Sequence, residues 1–230
     1  MEIISAKPQN LESIMKKDKE LGQRVKEHLL SVGVETPMAD YGISKEEKTK
    51  TIVENFTKIM YSLGLDLRDD SLQDTPKRVA KMFVEEIFYG LEYENFPKAT
   101  AVENKMSYDE MVICKDVSIQ SHCEHHFVNI DGKAVIGYIP AGKVLGLSKI
   151  NRIAKFFSKR PQIQERLTEQ IFHALSFILE TDDVAVIIKA THHCVKSRGV
   201  EDEGSETITS KLGGSFKNDT TRAELLSLLK

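Results

Sequence analysis

Apolar positions recur with helical spacing through the first hundred residues and with strand-like alternation after them. Leu21, Val25, Leu29 and Val32 fall at i, i+4, i+8 and i+11, one face of a helix that Gly33 and Pro37 end. A second helix is predicted from Lys45, with Ile52, Phe56, Ile59, Met60 and Leu63 on one face and Gly64 as its stop. A third opens at Asp74-Thr75-Pro76, a cap residue followed by a proline whose missing N–H costs nothing in a first turn. Val79, Met82, Phe83 and Ile87 form its inner side, and Gly90 closes it. Residues 1–20 carry no strong period and read as a loose arm.

Near residue 105 the pattern shifts. Met111-Val112-Ile113 and Val117-Ser118-Ile119 have strand texture, and Phe127 to Tyr138 reads as a hairpin turning at Asp131-Gly132. Two helices follow, Leu147 to about Lys159 and Pro161 to about Glu180, the second burying Ile163, Leu167, Ile171, Ala174, Leu175 and Ile178. Val184 to Ala190 is a β-branched strand, and Thr207-Ile208-Thr209 is the last strand. Leu212-Gly213-Gly214 then turns toward a C-terminal helix whose start is predicted from the capping-box spacing of Thr221 and Glu224. The order implies an α+β fold. Residues 1–104 form a helical region, 105–218 an antiparallel sheet backed by helices, and 219–230 a terminal helix.

Composition and charge narrow the function. At 230 residues the chain is one large domain, or one domain with an appendage, and can bury a core without staples. A formal net charge of −3 gives no global attraction to nucleic acid or to an anionic membrane, so an anionic ligand must be met by a local basic patch. Three cysteines without tight pairing suit a reducing cytoplasm, where cysteine near histidine is more often metal-binding or catalytic. Glu2, Lys7 and the charged run from Lys16 to Glu20 leave no apolar signal core. No apolar run approaches the roughly 20 residues of a bilayer span. A cytoplasmic location is expected.

Two knots concentrate the chemistry. Ser121-His122-Cys123-Glu124-His125-His126-Phe127 and Thr191-His192-His193-Cys194 together hold five of the seven histidines and two of the three cysteines. Cys123 and His126 have a C-x-x-H spacing that lets thiolate and imidazole reach one ion from a single turn. Cys194 is the candidate third ligand; two positions after His192 in an extended strand, it would share that residue's face. Three ligands without a fourth describe a catalytic site with an open position, and the soft donors favour Zn²⁺. The C-x-x-H spacing taken alone is also met by coincidence or by a reactive thiol. His125 and His192 are then left over, as proton shuttles, as orienting partners or as ordinary surface histidines. Cys114, without such neighbours, reads as a small core side chain.

Basic residues cluster as well. Ser148, Lys149 and Arg152 open a helix, where backbone N–H groups favour anions. Lys196 and Arg198 follow Cys194, and Arg78 and Lys81 share a turn. Gly142 to Lys149 is no Walker loop, because the glycine interval is too short and the Ser-Lys order is reversed. Such clusters are commonly solvated faces; beside a metal knot they point to an oligophosphate. Glu165 complements a helix dipole or accepts from the N–H edge of a base.

These motifs resemble GTP cyclohydrolase I. The resemblance is carried by residues 121–127, by Gly146-Leu147-Ser148-Lys149-Ile150-Asn151-Arg152, by Arg160-Pro161-Gln162-Ile163-Gln164-Glu165-Arg166-Leu167 and by His192-His193-Cys194-Val195-Lys196-Ser197-Arg198-Gly199. Asp74 to Lys81 and Leu212-Gly213-Gly214 extend it to roughly residues 20 to 229. It implies a tunnelling fold, an antiparallel sheet with two helices on one face, assembled as a decamer of two pentamers with active sites between subunits. It implies Cys123, His126 and Cys194 as zinc ligands and His125 and His192 as proton-transfer residues, with Ser148 also in the catalytic group. Glu165 and Gln164 would hold guanine, and Ser148, Lys149, Arg152, Arg198, Arg78 and Lys81 the triphosphate. The implied reaction takes GTP and water to formate and 7,8-dihydroneopterin triphosphate, the first step of folate and pterin synthesis. His193 and His122 depart from the family pattern, where a tyrosine and a small hydroxyl residue stand, and either could compete for metal. The alternative is a zinc-stabilised assembly or regulatory protein of the same fold without turnover.

Overall fold

In the computed structural model, which describes residues 16–229, two sheets form. The short strands β1 (Ala101–Glu103) and β4 (Lys143–Leu145) pair with each other. The main sheet holds β2 (Val112–Cys123), β3 (Asn129–Tyr138), β5 (Pro161–Gln162), β6 (Val184–His192) and β7 (Thr207–Leu212) in the order β5-β2-β3-β6-β7. All its pairings are antiparallel except β5, which lies parallel to the end of β2.

Alternation along these strands decides which face is buried. Val117, Ile119, Ser121 and Cys123 of β2, Ile130, Ala134, Ile136 and Tyr138 of β3, and Val184, Val186, Ile188 and Ala190 of β6 are all buried. Helices α4 (Leu147–Ser158) and α5 (Gln164–Leu179) cover this face, α4 over β2 and α5 over β6 and β7. Ile150, Ile153, Phe156 and Phe157 of α4 and Leu167, Ile171 and Leu175 of α5 bury against it, each such side chain stabilising by about 1.5–3 kcal/mol. Helix α1 (Lys19–Ser31) packs Val25 and Leu29 into the same core, alongside α5. The helix α2 (Lys45–Ser62) opens with a complete capping box between Ser44 and Glu47, and α3 (Thr75–Lys81) packs on it.

Several expectations need correction. Asp131-Gly132 is not a turn: both residues lie inside β3, facing Gln120 and Ile119 on one side and Thr191 and Ala190 on the other. Gly132 is there because a Cβ would collide with Lys189 O and Ala190; the chain reverses earlier, over residues 124–127. The third helix does not continue as an α-helix to Gly90. It widens into a π-helical turn, Met82–Ile87, with Phe88 N–H donating to Phe83 O. Pro161 and Gln162 belong to a strand, so α5 begins at Gln164. The last helix, α7 (Asp219–Leu228), starts two residues ahead of Thr221, and no capping box forms; Leu225 is buried while Leu226 and Leu228 stay exposed. Of the expected N-terminal arm, residues 1–15 lie outside the described residues, whereas Lys17 pairs with Pro97 and Asp18 caps α1.

A buried ion pair closes the helix side near the end of β2. Arg160 Nη1 donates to Glu35 Oε1 at 2.7 Å, with the two side chains 0% and 6% exposed. Its guanidinium lies 4.7–4.9 Å from the ring centroids of Tyr93, Phe156 and Phe157. Tyr93 donates its hydroxyl to the other Glu35 oxygen.

Candidate metal centre

Register brings the two knots to one end of the sheet. Ile130 of β3 stands between Ser121 of β2 and His192 of β6, so those side chains share the helix-covered face. Cys123, two residues beyond Ser121, emerges on that face at the strand end and is buried. The reversal that follows is closed by Phe127 N–H to Cys123 O and Cys123 N–H to Val128 O, each at 2.8 Å. Phe127 adopts a left-handed φ of 54°, a conformation that disfavours non-glycine residues by about 1–2 kcal/mol. Its ring is held edge-on by Phe88 and Phe83, at centroid distances of 5.1 and 6.0 Å. The π-helical turn therefore has a mechanical consequence: its added width lets both phenylalanines face the reversal that carries His126.

Strand β6 ends at His192, and the chain enters a single helical turn, α6 (His193–Lys196). Cys194 therefore does not follow His192 along an extended strand, as its spacing implied; the helical turn swings it toward the β2–β3 reversal. Donor atoms of Cys123, His126 and Cys194 lie within 4.8 Å of one another. Burial, and then the adjacent Cys123 thiol, push the Cys194 thiol above its ordinary value. Two thiols crowded in this way favour a cation between them. Two sulfurs and an imidazole are a donor set that suits a soft divalent ion such as zinc. The residues present fit that ion. His122 and His193 are outside the converging group. His122 packs edge-on against Phe88, and burial together with nearby Lys159 lowers its pKa. Cys114 is half-buried against the core, as expected, and burial raises its pKa.

The histidines in and around the donor group take distinct places. His125 is exposed, its Nδ1 3.7 Å from Cys123 Sγ and its Nε2 3.9 Å from Glu124 Oε1. His126 Nε2 accepts from Arg198 Nη1 at 2.9 Å. His192 Nε2 lies 2.7 Å from Gln164 Oε1. The Gln164 amide nitrogen donates toward Ile188 O, Thr207 O and Thr209 Oγ1, which fixes its oxygen as the atom facing His192. His192 is thus the donor, with the proton on Nε2. Burial lowers its pKa, opposed in part by the Glu165 carboxylate nearby. Glu165 is exposed in the first turn of α5, whereas Gln164 is 1% exposed and its amide is fully engaged.

Ser148 and Lys149 do not join this group within one chain. They start α4, next to Leu145, whose N–H donates to the hydroxyl of Tyr138 at the far end of β3. The other end of α4 leads to Arg160, whose carbonyl accepts from Ser121 Oγ beside the metal donors. The 12 residues of α4 separate the two ends by about 18 Å. Arg152 lies between them, one turn in from Ser148. Arg78 and Lys81 sit on α3, just ahead of the turn that carries Phe83 and Phe88.

Sequence reasoning assigned no role to Glu124 and Arg166, which pair at 2.5 Å, or to Glu35 and Arg160. A signal existed for Arg166: a cation in the first turn of a helix opposes the local dipole and implies a specific partner.

A family model described as GTP cyclohydrolase I matches residues 52–230 of the chain. A protein named GTP cyclohydrolase 1 from Vibrio parahaemolyticus is 58% identical over 212 residues, covering 92% of this chain and 98% of that protein. Proteins of the same name from Aliivibrio fischeri (strain MJ11) and Shewanella amazonensis are each 57% identical, covering 88% and 90% of this chain and 94% and 96% of their own lengths.

Proposed function

The chain belongs to the GTP cyclohydrolase I family, and from that premise we infer an enzyme that opens the purine ring of GTP at a zinc centre. The products are formate and 7,8-dihydroneopterin triphosphate, the entry to folate and related pterins. The observation that carries this reading is the convergence of Cys123, His126 and Cys194 beside His192, His125 and Glu165. When bound, zinc supplies a Lewis acid that activates water against an electrophilic ring carbon.

The protein's own residues do the rest. Glu165, an exposed carboxylate at a helix start, accepts from the N–H edge of guanine. His192 and His125 move protons at the ring, a task to which the two nitrogens of an imidazole are suited. Gln164 acts through His192, by holding its ring and its tautomer. Arg198, beside His126, meets the triphosphate together with Ser148, Lys149, Arg152, Arg78 and Lys81. Ser148 also serves in the catalytic group, at the sugar and phosphate end of the substrate.

Because Ser148 and Lys149 lie at the opposite end of α4 from Cys123, a complete site takes them from a second chain. That supports a homo-oligomer with sites between subunits; the proposed form is a decamer of two pentamers with the tunnelling fold. Ile59, Tyr61 and Leu63 on and just past α2 are exposed, which suits burial in such an assembly. Among the described residues no helix is long and apolar enough to cross a membrane. The proposal is of a cytoplasmic enzyme whose partners are GTP and further copies of its own chain.

The test is incubation of purified, zinc-replete protein with GTP. Stoichiometric formate and a pterin that fluoresces after oxidation are expected. Unchanged GTP would overturn the assignment and favour a zinc-stabilised assembly or regulatory protein without turnover.

A further inference from the structure

Arg166 stands against the electrostatics of its own helix. It lies in the first turn of α5, where unsatisfied N–H groups already carry partial positive charge. A residue that breaks a local rule is held there by something else. Its partner is Glu124, in the middle of the metal-binding reversal: Nη1 donates to Glu124 Oε2 at 2.5 Å, and the two side chains are only 17% and 28% exposed. The Glu124 backbone N–H donates to Gln162 O at 3.0 Å, so backbone and side chain are both tied to the segment that opens α5. The other Glu124 oxygen lies 3.9 Å from His125 Nε2.

We propose that Arg166 is a positioning residue for the metal centre, acting through Glu124. Glu124 sits directly between Cys123 and His125-His126. A reversal anchored at that residue cannot rotate without breaking a short, charge-assisted hydrogen bond in a half-dry setting. Arg166 thereby keeps Cys123 and His126 facing Cys194, and Glu124 keeps the His125 ring at the rim of the same centre. Outer partners of this kind typically change metal affinity by about 10–100-fold when removed. The proposal rests on Cys123, His126 and Cys194 being zinc ligands, and its test separates the two ideas.

Zinc affinity of the full chain is measured by competition with a chelator at constant pH. Co²⁺ absorption is recorded alongside, because its thiolate bands report both cysteines. Arg166→Gln and Glu124→Gln should each weaken zinc binding by about tenfold or more, and the double variant no further than either alone. Lys211→Gln removes another α5 ion pair, Lys211 to Glu169 at 2.9 Å, and should leave zinc affinity and the cobalt spectrum unchanged. Should Arg166→Gln fail to fold, Glu124→Gln and Arg166→Lys carry the same comparison, the lysine variant recovering part of the loss. Unaltered affinity and spectra in the Arg166 and Glu124 variants, or losses that add in the double variant, would overturn the positioning role. A wild-type cobalt spectrum without thiolate bands would instead remove the metal reading itself.

Discussion

Gln164 Oε1 and His192 Nε2 lie 2.7 Å apart, and three further acceptors saturate the Gln164 amide nitrogen. A buried amide that cannot rotate thus sets which nitrogen of His192 carries the proton. Its other nitrogen is left as the basic one. Gln164→Leu is expected to lower kcat by about 10–100-fold with KM for GTP little changed, because it removes orientation rather than binding. Steady-state pterin formation reads this. A raised KM with intact kcat would instead place Gln164 on the substrate.

The Glu35–Arg160 pair joins the segment after α1 to the strand β5 that flanks Cys123. Breaking a buried pair from one side leaves an uncompensated charge. Glu35→Ala is therefore expected to destabilise by about 3–5 kcal/mol in denaturant unfolding. Replacing both partners with apolar residues should cost less than the single change. Equal losses in the two variants would contradict this account of the pair.

Acid sensitivity follows from burial of three imidazoles. His122, His173 and His192 all have pKa values pushed below the ordinary histidine value, chiefly by desolvation. With the folded pKa depressed, the unfolded chain takes the proton first. Their stabilisation is complete above about pH 6.5 and is lost as pH falls through the folded values. The lowered carboxylates Glu47, Asp66, Asp69 and Glu85 act with the same sign, but only below their ordinary values of 4.5 and 3.8. Unfolding free energy should therefore drop between about pH 7.5 and about pH 5.5. His173→Gln should shrink that drop, since His173 lies away from the metal donors, against Glu169 and Phe172. A drop unchanged by the substitution would remove His173 from the explanation.

The proposed sharing of sites between chains predicts complementation. Cys194→Ala loses the metal half of a site and Lys149→Ala the phosphate half, so each variant alone should be nearly inactive. In mixed oligomers roughly one site in four receives both intact halves, and activity should return to about that fraction. No recovery on mixing would mean that one chain supplies both halves.

How far the sequence was legible depended on whether local rules and tertiary packing agreed. The helix face of Val25 and Leu29 emerges as its periodicity implied, and the strand from Val184 to Ala190 as its β-branched run implied, because both patterns answer burial. Asp131-Gly132 misled because glycine there answers a close approach between strands, a demand that looks the same in sequence as a turn. Cys123 and His126 stand out in the sequence as a candidate metal pair, by a spacing that coincidence or a reactive thiol also meets. The route of Cys194 does not, since a single helical turn after β6 leaves no periodic trace. The couplings of Arg166 to Glu124 and of Arg160 to Glu35 cross long intervals of chain. Only an ill-placed charge, such as Arg166 in a first turn, hints at them.

The zinc on which GTP ring opening is proposed to depend is held by Cys123, His126 and Cys194. Titration of Zn²⁺ into metal-stripped protein, with formate release from GTP followed, puts those three ligands to the test. Activity should rise linearly to an endpoint near one equivalent of zinc per chain, and Cys194→Ala should neither retain zinc nor release formate. Formate release that survives stripping, or a Cys194→Ala variant that turns over normally, would contradict that assignment.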